Sequence, residues 1–352
     1  MSVAWSDYGR YATDIFTDEA VNIITGHNTD KPLFLYLAHL AVHSANTYSP
    51  LQAPEEAINK HKYIEDDERR IFSGMLYKLD QSVGAVVSAL ERSGMLEDTI
   101  IVFTTDNGGP AAGFNQNAAS NWPLKGVKDT LWEGGVRGSS LVWSARLRGE
   151  GRVSDQMMTV HDWLPTLYSA AGGRVADLDN IDGMNMWEAL MKNTESPRNI
   201  VLHNIDSQRM ISAIRVGDYK LVRGTSYSGQ WDGWYGPDGR HGNNPQYDVD
   251  AVKQSDAATA MKNIDIHLPT DGQILEMRDQ ADVKCTKPDT AETCDPSFQV
   301  CLFNIKEDPC EFNNLVFKLP SVVRTLDDTL RLFNSTAVPP RNKPIDPRAD
   351  PK

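Results

Sequence analysis

DTIIVFTTDNGGPAAGFNQNAASNWPLKGVKDTLWEGGVRG, residues 98–138, decides how this chain is read. Residues 99–105 are β-prone and end abruptly at Asp106-Asn107-Gly108-Gly109. In open α/β sheets, ligand sites collect at the carboxyl ends of buried strands. An acid and an amide at such a strand end offer hard oxygens, which suit Ca2+ or Mg2+ rather than Zn2+. Two residues fall short of the roughly 6–8 oxygens that Ca2+ takes, so more carboxylates must come from elsewhere. The same four residues are also what a tight turn uses, and spacing leaves both readings open. Lys125, Lys128 and Arg137 follow. A lysine ammonium suits an anionic oxygen beside a metal, though it is equally an ordinary solvated group. Glu133-Gly134-Gly135 permits a close backbone approach.

Outward from this stretch the pattern alternates between strand and helix. Thr13-Asp14 opens a helix to about Thr25, with Gly26 past its end. Residues 33–37 are apolar without alternation, which predicts a strand buried on both faces. Pro54 suits a first helical turn. Ile71, Met75, Leu79, Val83, Val86, Val87 and Leu90 keep helical spacing over residues 65–93, with Gly94 as the C-terminal cap. Residues 141–143 read as a strand and 161–171 as a helix. The fold class is therefore α/β, with a sheet flanked by helices. From residue 199 short β-prone runs follow at 200–205, 211–216 and 219–222. Residues 224–297 show no clear periodicity. The expected division is 1–198, an α/β domain; 199–338, a smaller α+β domain; and 339–352, a proline-rich tail.

The chain has 352 residues and a formal net charge of −13. An acidic chain of this kind does not hold nucleic acid through a global field, so an anionic ligand needs a locally basic pocket. The longest apolar run, residues 33–42, is too short to span a bilayer, which takes about 20 residues. The first residues do not read as a signal peptide. Yet Cys285, Cys294, Cys301 and Cys310 form an even cluster that suggests two disulfides and an oxidising compartment. Asn334-Ser335-Thr336 is an N-glycosylation sequon and agrees. Four cysteines allow three pairings, of which Cys285–Cys294 with Cys301–Cys310 is the one expected. His43, just past residues 33–37, suits hydrogen bonding to an anion or proton transfer, as well as a structural role. His39 and His161 read as structural.

The motifs TDIFTDEAVNIIT, KPLFLYLAHLAVHS, PLQAPEE, GMLYKLDQSVGAVVSALERSGMLEDTIIVFTTDNGG, NWPLKGVKDTLWEGGVRG, HDWLPTL, DGMNMW, VLHNID, IRVGDYKLV and CLFNIKEDPCE, in this order, resemble the sulfatase family, most of all its arylsulfatase B branch. The resemblance runs from about residue 11 to 315. It implies an alkaline-phosphatase-like fold with an incomplete large mixed sheet, and hydrolysis of sulfate esters on sulfated sugars. Asp106 and Asn107 match Ca2+ ligands. Lys128 and His43 match residues that contact the sulfate, and Lys125 falls at a basic substrate-binding position. Arg137 reads as structural support. Lysosomal or secreted placement goes with the resemblance.

Two departures stand out. Residues 44–49, SANTYS, are inserted between His43 and Pro50-Leu51-Gln52, where they are expected to displace His43 or reshape the pocket rim. The family's earlier section, with an aspartate pair and the Cys-x-Pro-Ser-Arg sequence that supplies the formylglycine nucleophile, has no counterpart here. The chain is therefore expected to be truncated, inactive alone, and to expose sheet edges. Cys294-Asp295-Pro296-Ser297-Phe298 imitates the modification sequence but lacks its arginine. The alternative is a non-catalytic relative that binds sulfated glycans. A zinc phosphatase of similar fold would want an imidazole where Asn107 stands.

Overall fold

A computed structural model describes residues 4–147, 151–236, 245–341 and 348. In chain order the elements are α1 (Ala12–Thr25), α2 (Glu55–Asn59), α3 (Asp67–Arg92), β1 (Ile101–Thr104), α4 (Glu133–Val136), β2 (Ser140–Trp143), α5 (Trp163–Ala170), α6 (Trp187–Lys192), β3 (Ile200–Asp206), β4 (Ile211–Val216), β5 (Tyr219–Arg223), α7 (Val249–Lys253), α8 (Asp256–Asn263), α9 (Asp271–Gln280), β6 (Cys301–Asn304) and α10 (Pro320–Ser335). The tail expected over 339–352 lies almost wholly outside the described residues.

The long helix α3 organises the first half. Asp66 caps it, accepting from the Arg69 amide at 2.7 Å. Gly94 ends it with φ +66°. The Gly94 and Met95 amides return to the Glu91 and Leu90 carbonyls, the double bond of a Schellman end. Its apolar stripe buries Phe72, Met75, Val87 and Leu90 against α1, α2 and α8. The cap of α1 is Tyr11, not Thr13 or Asp14; Thr13 is buried instead.

Residues 33–37 correct the sequence reading. They are extended but pair with no strand among the described residues. Leu33 and Leu35 pack against the α1–α3 core, while Phe34 is 80% and Tyr36 81% exposed. An unpaired segment covered on one side can bury only alternate side chains. β1 pairs antiparallel with β2, from Ile101↔Trp143 to Thr104↔Ser140. It is half-buried at Ile101 and exposed at Thr104, so Asp106 follows a rim strand rather than a central one.

The second half is built on an antiparallel sheet ordered β3-β4-β5-β6. Ile214, Leu221 and Leu302 share one face, where Leu326 and Leu330 of α10 cover them. Ala213, Val222, Cys301 and Phe303 share the other, against Trp132 from the loop before α4. β6 and α10 were not anticipated from sequence. β6 is only four residues long and becomes a strand by pairing with β5. The disulfides are Cys285–Cys310 and Cys294–Cys301, which overturns the expected pairing. Cys294 and Cys301 meet in the core beneath Trp132, because the segment before β6 returns to the sheet. The imitation modification sequence thus holds a bonded cysteine.

Loop and sheet are joined by charge as well as by packing. On β5, Lys220 is fully buried between Glu133 and Glu311, 2.9 Å from a carboxylate oxygen of each. Glu311 also accepts from the Glu133 amide at 2.8 Å. A buried ammonium is tolerated only when its partners surround it. Replacing Lys220 by Met should leave Glu133 and Glu311 facing each other without their cation and lower the unfolding free energy by about 3–5 kcal/mol at pH 7. Urea denaturation reads this directly; a loss below about 1 kcal/mol would show that the ion pair is not what fastens the loop.

Candidate active site

The strand-end turn and the basic loop are stitched together through glycine. A Cβ on Gly108 would overlap the Gly134 carbonyl, and the Gly108 amide donates to the Gly135 carbonyl at 2.9 Å. Asn121 accepts from the Gly109 amide and returns its own amide to the Gly109 carbonyl, at 2.7 and 2.6 Å. The Lys128 amide donates to the same carbonyl at 3.2 Å. Asn107, half-buried, therefore lines the same cleft as Lys128, while Asp106, one residue earlier at the strand end, is exposed. Asn121 had no sequence signal beyond its place in the loop.

His43 joins this group from the other side. Its Nδ1 lies 2.7 Å from the Ser44 carbonyl, which can only accept, so Nδ1 carries the proton. Nε2 is then free to accept from the Lys128 ammonium at 2.9 Å. With the insertion in place, His43 contacts Lys128. Residues 44–49 form a small turn, closed by the Ala45 amide on the Pro50 carbonyl and the Ser49 amide on Asn46. Buried Asn117 fastens its base through the Val42 carbonyl and the Ser44 hydroxyl, a support that sequence reading missed.

Lys125 does not accompany Lys128. It is only 3% exposed, with its ammonium 3.4 Å from the Trp132 ring centre and 4.8 Å from that of Trp234. Burial pushes its pKa down to about 8, against the pull of Glu311, Asp232 and Asp295. Expected at a substrate-binding position, Lys125 is here a cation packed between aromatic faces. Three residues later in the loop, Lys128 turns to a cleft of about 340 Å3 that Asn107, Asn115, His203 and Tyr227 also line. Burial, and then Lys220, depress the His203 pKa to about 3, so that imidazole is neutral. Arg137 is exposed, with its amide on the Glu133 carbonyl.

Asp106 and Asn107 are the right kind of donors for a hard dication but too few to hold one alone. No group of three or more His, Cys, Asp or Glu side chains with metal-site geometry occurs among the described residues.

Residues 2–173 match the family model described as Sulfatase. Mouse arylsulfatase J is 33% identical over 371 residues, covering all of this chain and 53% of that protein. Mouse N-acetylgalactosamine-6-sulfatase is 28% identical over 221 residues, covering 62% of this chain and 40% of its own. The chain thus spans about half the length, or less, of these curated relatives. The crystal structure of Ps i-CgsB superposes with a TM-score of 0.62 at 24% identity, over 92% of this chain and 55% of that one. A second crystal of that protein, in complex with k-i-k-neocarrahexaose, gives 0.54 at 26% identity, over 77% and 60%. The fold is the α/β sulfatase fold of the alkaline-phosphatase type.

The buried charges next to the site carry a pH signature. Burial raises the Glu311 pKa to about 7, with Lys220 drawing it back and Glu133 adding to the rise. Between about 4.5 and 7 the folded protein keeps a proton that the unfolded chain has released, so the Glu311 contribution to stability falls as pH rises. His203 acts in the opposite sense. Between about 3 and 6.5 only the unfolded chain is protonated there, so stability is lost as pH falls. Glu311→Gln should remove the first effect alone. Its stability relative to the parent should climb from pH 4.5 to 7 in urea melts, and a difference independent of pH would refute the proton on Glu311.

Proposed function

Because this chain belongs to the sulfatase family, we propose that it forms the sulfate-binding, charge-stabilising part of a sulfuric ester hydrolase acting on sulfated saccharides. The observation that carries the reading is Lys128, hydrogen-bonded to His43 and held by backbone contacts beside Asp106 and Asn107. The names of N-acetylgalactosamine-6-sulfatase and of the oligosaccharide complex support a sugar substrate. In this reading residues 1–198 carry the site and residues 199–338 supply the sheet that holds its loop.

The chemistry assigned to these residues is electrostatic. The Lys128 ammonium meets a sulfate oxygen and offsets the charge that gathers on the ester in the transition state. An arriving sulfate oxygen competes for the Lys128 protons and loosens the Lys128–His43 contact. His43 Nε2 can donate to the bridging oxygen of the departing alcohol only after it has taken up a proton of its own, with Nδ1–H still held by the Ser44 carbonyl. Asp106 and Asn107 would hold part of a Ca2+ shell, completed by ligands beyond these two. Such an ion supplies Lewis-acid stabilisation of the sulfate oxygens. A second reading, binding of sulfated glycans without turnover, draws on one observation: all four cysteines are paired, so none is available as a nucleophile precursor. The two disulfides, and Asn334 exposed in the last turn of α10, support a glycosylated lysosomal or secreted protein. No helix among the described residues is long and apolar enough to cross a membrane.

Binding separates this proposal from a fortuitous cluster. Lys128→Ala should weaken a sulfated monosaccharide by about 10–100-fold in titration calorimetry at low salt, the loss expected of a charged hydrogen bond. Lys125→Met should leave that affinity within about twofold. Equal losses in both variants, or none in Lys128→Ala, would sink the assignment.

A further inference from the structure

The cleft extends past the sulfate end, and its far wall is built for something other than sulfate. Besides Asn107 and Lys128, the lining of the cleft includes Phe114, Asn115, Asp129, Asn204 and Tyr227. Phe114 is buried, and both Tyr227 and Trp231 meet it edge-on, with ring centres 5.5 and 5.2 Å away. Tyr227 is half exposed, so one part of its ring is packed and the remainder is open. Its hydroxyl donates to Asp129 at 2.7 Å, and the neighbouring Ser226 hydroxyl donates to the Asp129 carbonyl at 2.9 Å. Asp129 directly follows Lys128, so this tie fixes the aromatic wall relative to the proposed sulfate anchor.

A cation stands at the rim. Arg209 lies on the β3–β4 turn, which Asp206 holds by accepting from the Gln208 and Arg209 amides at 2.9 Å each. The Arg209 guanidinium is more than half exposed. Its two carboxylate neighbours are distant for hydrogen bonds, Asp129 at 3.5 Å and Asp206 at 3.8 Å. An exposed guanidinium with such loose partners can exchange them for a bidentate anion at little cost. Asn115, Asp129, Met210 and Tyr227 around this wall all adopt left-handed backbone, φ +52° to +69°. Non-glycine residues keep that conformation where surrounding contacts impose it, which is common at ligand-binding positions.

We propose that this wall is a second-sugar subsite. Tyr227 and Asn115 receive the ring that adjoins the sulfated one, and Arg209 pairs with an anionic group on that ring. An aromatic face covers the apolar face of a sugar, the amides of Asn115 and Asn204 meet its hydroxyls, and the guanidinium reads its carboxylate or sulfate. The site would then select an oligosaccharide with a second negative charge over a simple sulfate ester. This deepens the proposed function and rests on Lys128 as the sulfate anchor.

The test uses the full chain, titration calorimetry and two probes: 4-nitrophenyl sulfate and a disaccharide sulfated on both rings. Arg209→Ala should weaken the disulfated disaccharide about tenfold and leave the aryl sulfate within about twofold. Arg209→Lys should recover part of the loss, and Tyr227→Ala should also weaken the disaccharide selectively. Lys128→Ala should weaken both probes. If Arg209→Ala and Tyr227→Ala change neither affinity, or both affinities equally, while Lys128→Ala still weakens both, the subsite is wrong and the anchor stands. If Lys128→Ala changes neither, the anchor itself fails and the subsite falls with it.

Discussion

A single lysine ammonium, buried on β5, sets the arrangement of everything around the candidate site. Lys220 has no access to water, so Glu133 and Glu311 must both come to it. Glu133 opens α4 and brings Trp132 onto Phe303, with ring centres 5.8 Å apart. Gly134 and Gly135, next in the chain, then meet Gly108 backbone to backbone. Asp106, Asn107 and Lys128 are thereby positioned by an ion pair that touches none of them.

This chain of contacts explains the glycines of the central stretch. At Gly108 and Gly134 the neighbouring carbonyls occupy the space that a side chain would need. A methyl group at either position would push the strand-end turn off the loop and separate the two halves of the site. A comparable joint holds the next segment. Asp162 is fully buried, accepts two guanidinium bonds from Arg198 at 2.7 and 2.5 Å, and also accepts from the Thr159 amide at 2.8 Å in the turn before α5. In both places a paired buried charge fixes loops that have little regular structure of their own.

Lys125 and Lys128 show how much of the site could be read in advance. Both are basic, three residues apart, in a loop whose composition suits an anion. The sequence provides no measure of which side of the loop each faces. Trp132 and Trp234 decide it, the second from more than a hundred residues away, by enclosing Lys125. His43 was identified from its motif, but its contact with Lys128 depends on Asn117 closing the base of the inserted turn. Arg209 and Tyr227 gave no signal at all, because turn residues become a wall only when β3, β4 and the segment after β5 are assembled.

The sequence by itself determined part of the local structure and the chemistry: the helices α1, α3 and α5, where α3 stops, the order of acid, amide and lysines after β1, and the family to which they belong. These follow from local periodicity, capping and motif order, which operate over a few residues. Tertiary structure alone decided that Lys128 faces the cleft while Lys125 is enclosed, that Cys294 joins Cys301, and that residues 33–37 bury only alternate side chains. Each of these depends on what a distant segment places opposite, and a buried charge, a thiol or an extended backbone takes its role from the partner that reaches it.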